Sequence, residues 1–141
     1  MKQDLPKNVS VLYRKMCVSL NVRFEHIGLS TSQTMVLICL NQWGSLTQAD
    51  LCRKLDMDKG AIAKTLMRLD CDGFVTRRTN PDDVRAYLVS LTDKAKDLIP
   101  QIERIQEEWV DALTSNMTSI ERDAFIQLFQ KATETAAAIC E

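Results

Sequence analysis

Residues 47–92 read TQADLCRKLDMDKGAIAKTLMRLDCDGFVTRRTNPDDVRAYLVSLT, and this stretch decides the fold. Its first half predicts two short helices. Thr47 and Asp50 stand at capping-box spacing at the start of the first helix. Asp58 is placed to cap the second helix, and Gly73 supplies a residue that tolerates a left-handed stop. About three residues separate the two helices, which is the connection length of a helix-turn-helix.

After Gly73 the apolar pattern changes from helical to alternating. Residues 74–78 and 86–91 are rich in β-branched and aromatic side chains, and the turn-rich residues 79–85 lie between them. The pattern predicts two strands joined by a loop, and the pair Ser45-Leu46 is long enough for a stub of a third strand. A helix-turn-helix followed by a β-hairpin wing is a unit that reads DNA.

Two segments of this stretch resemble the MarR family of winged-helix transcriptional regulators. They are LDMDKGAIAKTLMRLDCDGFVTRR at residues 55–78 and NPDDVRAYLVSLTDKAK at residues 80–96. The most specific feature is the wing signature, in which Asp83-Val84-Arg85 is followed by Leu91-Thr92. The resemblance implies a homodimeric repressor that binds double-stranded DNA at a palindromic operator and is released by a small-molecule effector or an oxidant. It implies neither enzymatic activity nor a cofactor.

Composition agrees with one globular domain spanning residues 1–141. The start lacks the apolar run of a signal peptide, and no segment reaches the length of a membrane span, so we expect a soluble cytoplasmic protein. The five cysteines contain no CxxC pair, and their odd number is unlike a secreted disulfide framework. No His, Cys or carboxylate cluster has the spacing of a metal site.

The net charge of −1 is unusual for a DNA-binding protein, but the charge is unevenly distributed. Residues 1–92 carry 13 Lys and Arg against 9 Asp and Glu, a net of +4. Residues 93–141 carry 5 against 10, a net of −5. The acidic excess therefore lies outside the proposed reading unit, although most of those carboxylates have the pattern of an ordinary solvated helix face.

Long amphipathic helices are predicted on both sides of the winged helix-turn-helix at residues 30–92. One runs over residues 5–27, one follows Thr92 and continues through Pro100 with a kink, and the last begins near Ser119. The fold class is thus mainly α with a small β-wing. Residues 1–29 and 93–141 have more apolar surface than one small domain needs to cover, which indicates dimerisation helices.

The candidate DNA-binding residues lie on the outward face of the second helix and on the wing. They are Lys59, Gly60, Ala61, Ala63, Lys64, Met67, Arg68, Arg77, Arg78, Asp83 and Arg85. Cys71 shares the helix face. The alternative for Lys64 and Arg68 is an ordinary solvated charge. Because few side-chain hydrogen-bond donors point at the bases, we expect phosphate contacts and wing contacts to contribute more to DNA binding.

Arg85 is placed to enter the minor groove, with Asp83 steadying its guanidinium by a charge-assisted hydrogen bond. The alternative is a local ion pair at a hairpin tip. Arg77 and Arg78 are adjacent on one strand, so their side chains point to opposite faces and only one is expected to reach phosphate. The sequence leaves open which of the two it is.

A possible small-molecule effector pocket is assigned to Phe24, His26 and Met35, although a helix-capping role is the more ordinary interpretation of His26. Cys17 lies one turn after Tyr13 on the first helix. Some relatives in the resembled family sense hydroperoxides with a cysteine near tyrosines there, which makes Cys17 a redox candidate. A buried cysteine is more often a small hydrophobe.

Two rival functions compete with the DNA-binding regulator. The first is a winged helix used only for protein interaction, which the low net charge permits. The second is a small thiol enzyme that uses Cys17 or Cys71 with His26, but no local motif brings a base to either thiol. We therefore expect no enzymatic activity.

Overall fold

The computed structural model describes residues 1–140 of the chain. A short 3-10 turn at Lys2–Asp4 precedes the first α-helix. The helices are α1 (Leu5–Glu25), α2 (Thr31–Trp43), α3 (Gln48–Leu55), α4 (Lys59–Cys71), α5 (Asp93–Leu113) and α6 (Ser119–Ile139), and the strands are β1 (Leu46–Thr47), β2 (Val75–Asn80) and β3 (Asp83–Leu91). This order confirms the predicted fold class, a mainly helical chain with a small β-wing.

The helix-turn-helix consists of α3 and α4. The Thr47 hydroxyl accepts a hydrogen bond from the Asp50 backbone N–H at 3.1 Å, and the Asp50 carboxylate accepts one from the Thr47 N–H at 3.0 Å. This reciprocal pair is the predicted capping box. The Asp58 carboxylate caps α4 through the Ala61 N–H at 2.8 Å. Three residues, 56–58, separate the helices as predicted.

The end of α4 leads directly into the wing. Gly73 adopts φ +77°, a conformation that side chains rarely tolerate, and its N–H donates to the Asp70 carbonyl at 3.1 Å. The Phe74 N–H donates to the Leu69 carbonyl at 2.9 Å. Because Phe74 and Val75 are both buried directly after this turn, the exit direction of the chain from α4 is fixed by backbone bonds and packing together.

The wing is a three-stranded antiparallel sheet in the order β1-β3-β2, which confirms the predicted third strand. The prediction of a loop over residues 79–85 is wrong. Strand β2 continues to Asn80 and β3 begins at Asp83, so only Pro81 and Asp82 form the turn. The Asn80 carboxamide accepts the Asp82 N–H at 3.0 Å. The pairing then shifts by three residues, from Asn80 opposite Asp83 to Thr79 opposite Tyr87, and residues 84–86 bulge from the ladder.

The core of residues 1–106 is formed by α1, α2, the helix-turn-helix, the inner face of the sheet and the first part of α5. Its largest fully buried side chains in this part are Phe24, Val36, Leu37, Leu51, Ile62, Leu66, Leu69, Val75, Val89 and Ile102. Helix α5 continues through Pro100, as predicted, because the apolar positions on both sides, Ile99 and Ile102, remain buried on one face. None of the helices in residues 1–140 is both long and apolar enough to cross a bilayer.

Residues 107–141 form a second compact unit. Within its described part, α6 begins with a capping box in which the Thr118 hydroxyl accepts the Glu121 N–H at 3.2 Å and the Glu121 carboxylate accepts the Thr118 N–H at 2.8 Å. Arg122 and Asp111 approach to 3.7 Å. No residue of α6 is buried, although the helix carries the predicted apolar stripe.

Candidate nucleic-acid interface

Helix α4 separates its residues into a buried stripe and an exposed face. Ile62, Leu66 and Leu69 are almost fully buried. The side chains predicted to face outward are exposed, with Ala61 half-buried at the edge: Lys59, Gly60, Ala63, Lys64, Met67, Arg68 and Cys71. The packing of α4 therefore presents the face that the sequence assigned to DNA.

A groove of about 690 Å³ lies between this helix-turn-helix and the inner face of the wing. Four cationic side chains surround it: Arg53, Lys59, Arg77 and Arg85. Its other walls include Gln48, Leu66, Tyr87 and Val89. The groove is thus a cationic rim around a partly apolar floor, a combination suited to an anionic partner such as a phosphate backbone.

Carboxylates hold two of these four cations. The Arg53 guanidinium lies 2.7 Å from the Asp50 carboxylate, and the Arg77 Nε lies 3.8 Å from the Asp70 carboxylate. Hydrogen bonds from the Thr47 backbone and hydroxyl lower the pKa of Asp50, with Arg53 adding to the effect, so this carboxylate keeps its charge. Within residues 1–140 neither Lys59 nor Arg85 has a carboxylate at ion-pair distance.

The pairing of β2 with β3 places the two adjacent arginines on opposite faces. Arg77 stands opposite Val89, which is buried on the inner face, and Arg77 lines the groove. Arg78 stands opposite Leu88 and does not line the groove. Arg77 is therefore the member of the pair that joins Lys59 and Arg85 around one surface.

At the tip of the wing the structure corrects the expected role of Asp83. Its carboxylate accepts a hydrogen bond from the Arg85 backbone N–H at 3.0 Å instead of holding the guanidinium. A short Asp side chain readily hydrogen-bonds to the backbone N–H two residues further along the chain. The Arg85 guanidinium is consequently left available, and the neighbouring Val84 is 78% exposed.

A second groove of about 640 Å³ borders α4 on its other side. Lys64, Met67, Arg68 and Cys71 line it, together with Ser30 and Ser32 from the start of α2. The two serines and Tyr87 were missed from the sequence. Their proximity to the cations depends on how α2 and β3 pack against the helix-turn-helix, and no local sequence motif indicates it.

The three residues assigned to an effector pocket have different environments. Phe24 is fully buried in the core, Met35 is half-buried and His26 is exposed at the C-cap position of α1, where its backbone N–H donates to the Phe24 carbonyl. They line neither of the two grooves described above. No group of three or more potential metal ligands occurs within residues 1–140.

All of the cysteines in the chain are free thiols. Cys17 is half-buried, and a hydrogen bond with its side chain raises the pKa of Tyr13. Cys17 and His26 are nine positions apart on one helix and its cap, a separation of roughly 13 Å along the axis. That distance excludes direct proton transfer between them and argues against the thiol enzyme built on this pair.

Three comparisons with known proteins match this arrangement. The sequence matches the MarR family profile over residues 29–87. It is 31% identical over 113 residues to the multiple antibiotic resistance protein MarR of Salmonella typhimurium, covering 79% of this chain and 78% of that protein. The structure is similar to a MarR transcriptional regulator from Methanosarcina mazei, with a TM-score of 0.92, 28% identity and coverage of 97% of this chain and 99% of that one.

The fold is also similar to a variant of Escherichia coli MarR complexed with operator DNA, with a TM-score of 0.81, 27% identity and coverage of 91% and 92% of the two chains. In that neighbour the fold is seen on its operator. The identity to the Salmonella protein extends over most of both chains, beyond the winged helix alone. The chain therefore belongs to the MarR family of transcriptional regulators.

Proposed function

We propose that the protein is a cytoplasmic, sequence-specific repressor that binds a palindromic operator as a homodimer. The observation that carries the proposal is the exposed face of α4 beside a groove lined by Arg53, Lys59, Arg77 and Arg85. The operator complex of the similar E. coli protein supports DNA as the anion. In this proposal residues 30–92 read DNA, and residues 1–29 and 93–141 dimerise.

The exposed apolar residues of the terminal helices support the homodimer. Helix α1 exposes Leu5, Val9, Tyr13, Val18 and Val22, and α6 exposes Ile120, Ile126, Leu128, Phe129 and Ile139. So many exposed large apolar side chains on the terminal helices favour a partner surface over a protein that remains monomeric. A two-fold dimer would present two copies of α4, and such symmetry is matched by two half-sites about one helical turn apart.

Selection of duplexes from a random pool by the purified protein tests the proposal. We expect a palindrome, and we expect its affinity to fall steeply as salt increases, since neutralised phosphates release counterions. The matched control is Lys131→Ala, which removes the same charge from α6, set against Lys59→Ala in the groove. Only Lys59→Ala should reduce the salt dependence.

The alternative is a winged helix that serves only protein interaction. That function would leave DNA retention weak, independent of sequence and unaffected by Lys59→Ala. The absence of any enriched sequence from the pool would therefore overturn the repressor and favour the interaction module.

The release signal is proposed to be a small molecule or an oxidant. The oxidant arm rests on the contact between the Cys17 thiol and Tyr13 in the middle of α1. Peroxide should release the parent protein from its operator and should fail to release Cys17→Ser. Equal release of both proteins would exclude Cys17 as the sensor and leave an oxidant acting elsewhere, whereas release of neither would leave the small molecule as the signal.

A further inference from the structure

One ion pair joins the last turn of α4 to strand β2 of the wing. The Arg77 Nε lies 3.8 Å from the Asp70 carboxylate, with the Arg77 side chain 34% exposed and the Asp70 side chain 52% exposed. Arg77 also lines the cationic groove. The same guanidinium therefore has an internal counterion and a position from which it can meet an external anion.

The ion pair is not needed to fix the position of the wing. The turn between α4 and β2 is held by the backbone bonds of Gly73 and Phe74, and Phe74 and Val75 are buried immediately after it. An ion pair between two partly exposed side chains contributes little to folding. Asp70 faces outward on a helix whose other exposed charged residues are Lys59, Lys64 and Arg68, so its negative charge is opposite in sign to theirs.

We propose that Asp70 is a specificity-determining residue that lowers the affinity of the protein for non-operator DNA. It does so by acting as an internal counterion for Arg77. The inference rests on the proposed function of DNA binding. It adds a residue that makes no contact with DNA but controls when a neighbouring cation does.

The physical basis is the difference between non-specific binding, which we call loose, and binding to the operator, which we call docked. Non-specific binding depends mainly on the number of cations that replace counterions on phosphate. A guanidinium that already has a carboxylate partner adds little to that number. On the operator, base contacts hold α4 and the wing in register, so Arg77 can exchange Asp70 for a phosphate at fixed distance. Asp70 therefore weakens loose binding more than docked binding.

The test compares Asp70→Asn with Asp72→Asn. Both changes remove one negative charge from the end of α4, but the Asp72 carboxylate is not paired with Arg77. Affinities for the selected operator and for a scrambled duplex are measured between about 50 and 200 mM salt. For Asp70→Asn we expect the salt slope on scrambled DNA to steepen by about 0.9 per bound protomer. Its preference for the operator should fall about threefold.

A double variant distinguishes an effect of the Asp70–Arg77 ion pair from an effect of the negative charge of Asp70 alone. In an Arg77→Gln background, Asp70→Asn should no longer change the salt slope, because no guanidinium remains to be released. Thermal unfolding of each variant reports on folding. The unfolding temperatures should not correlate with the change in preference for operator over scrambled DNA.

Each other outcome overturns the inference. Equal effects of Asp70→Asn and Asp72→Asn would show that only the total charge matters. Weaker operator binding by Asp70→Asn would show that the pair positions Arg77 instead of withholding it. If the parent protein binds no DNA, the proposed function fails as well, and this result is distinguishable because it needs no variant.

Discussion

Helices α4 and α6 carry similar apolar stripes but use them differently. In α4, Ile62, Leu66 and Leu69 are almost completely buried by the rest of the same chain. In α6, Ile120, Leu128 and the other apolar side chains remain accessible, and no residue is buried. An apolar period therefore specifies which face of a helix is apolar but does not specify what covers that face. For α4 the cover is the winged helix, and for α6 we propose a second copy.

The two regions also differ in the charges that they display. The exposed face of α4 carries Lys59, Lys64 and Arg68. Residues 93–141 have a net charge of −5, so α5 and α6 lie in a region that repels phosphate. A winged helix that buries its apolar residues and exposes cations fits a nucleic acid, whereas terminal helices that expose apolar residues fit a protein surface.

The largest expected effect comes from the buried stripe. Leu66→Ala should lower the free energy of unfolding by about 2–5 kcal/mol, because it leaves a cavity in a packed core. The loss should be the same at every protein concentration if α4 is covered within the chain. Urea unfolding at two protein concentrations measures this loss. The control is Met67→Ala, since Met67 is the next residue and is 61% exposed, and its effect should stay within about 0.5 kcal/mol. Equal losses for both would contradict the burial described for α4.

A charge introduced on the exposed apolar stripe of α6 tests whether a second copy of the chain covers that stripe. Leu128→Glu should dissociate the dimer, because the carboxylate would be buried without a partner at the interface, with a loss on the order of 2 kcal/mol or more in association. Sedimentation equilibrium measures the association. Gln127→Glu adds the same charge to the neighbouring helix position and serves as the control. A Leu128→Glu protein that associates like its parent would remove α6 from the interface.

Arg85→Ala should affect DNA binding and leave both stripes intact. Within residues 1–140 its guanidinium has no carboxylate at ion-pair distance, and it borders the groove. Its loss should therefore weaken operator binding by about 1–3 kcal/mol and reduce the salt slope by about one. Binding titrations at two salt concentrations measure both quantities. Arg78→Ala, on the opposite face of the wing, is the matched control and should have the smaller effect. The reverse ranking would mean that the outer face of the wing meets DNA.

The smallest expected effects compare the capping boxes of α3 and α6. Thr47→Ala and Thr118→Ala should each cost about 1 kcal/mol. The cap of α3 should also depend on acid. The pKa of Asp50 is lowered in the folded protein by its hydrogen bonds to Thr47, so its contribution is complete above the unfolded value of about 4 and disappears as the pH falls through the folded value. Between pH 6 and pH 3, Thr47→Ala should therefore lose less free energy of unfolding than the parent does, as measured by urea unfolding. If Thr47→Ala and the parent lose the same free energy of unfolding between pH 6 and pH 3, the cap does not cause the lowered pKa of Asp50.

Most of the helical framework was predictable because its signals are local. The capping box of Thr47 and Asp50, the stop at Gly73 and the buried stripe of α4 each involve residues within about four positions of one another, so the sequence contains the whole interaction. The wing was less predictable. The strands extend further than propensity indicated, since pairing between β2 and β3 stabilises residues such as Asn80 and Asp83 that seldom occur in strands.

Local signals in the sequence were sufficient to predict which segments are helical, which face of α4 is exposed and that the wing carries cations. Long-range packing was needed to establish that Arg77 and not Arg78 lines the groove, that Asp70 pairs with Arg77, and that Tyr87 and Ser30 lie beside the cations. The reason is physical. Helix caps and stripes depend on neighbours in the chain, whereas the direction of a strand side chain relative to a helix depends on the register chosen when distant segments pair and bury their apolar faces together.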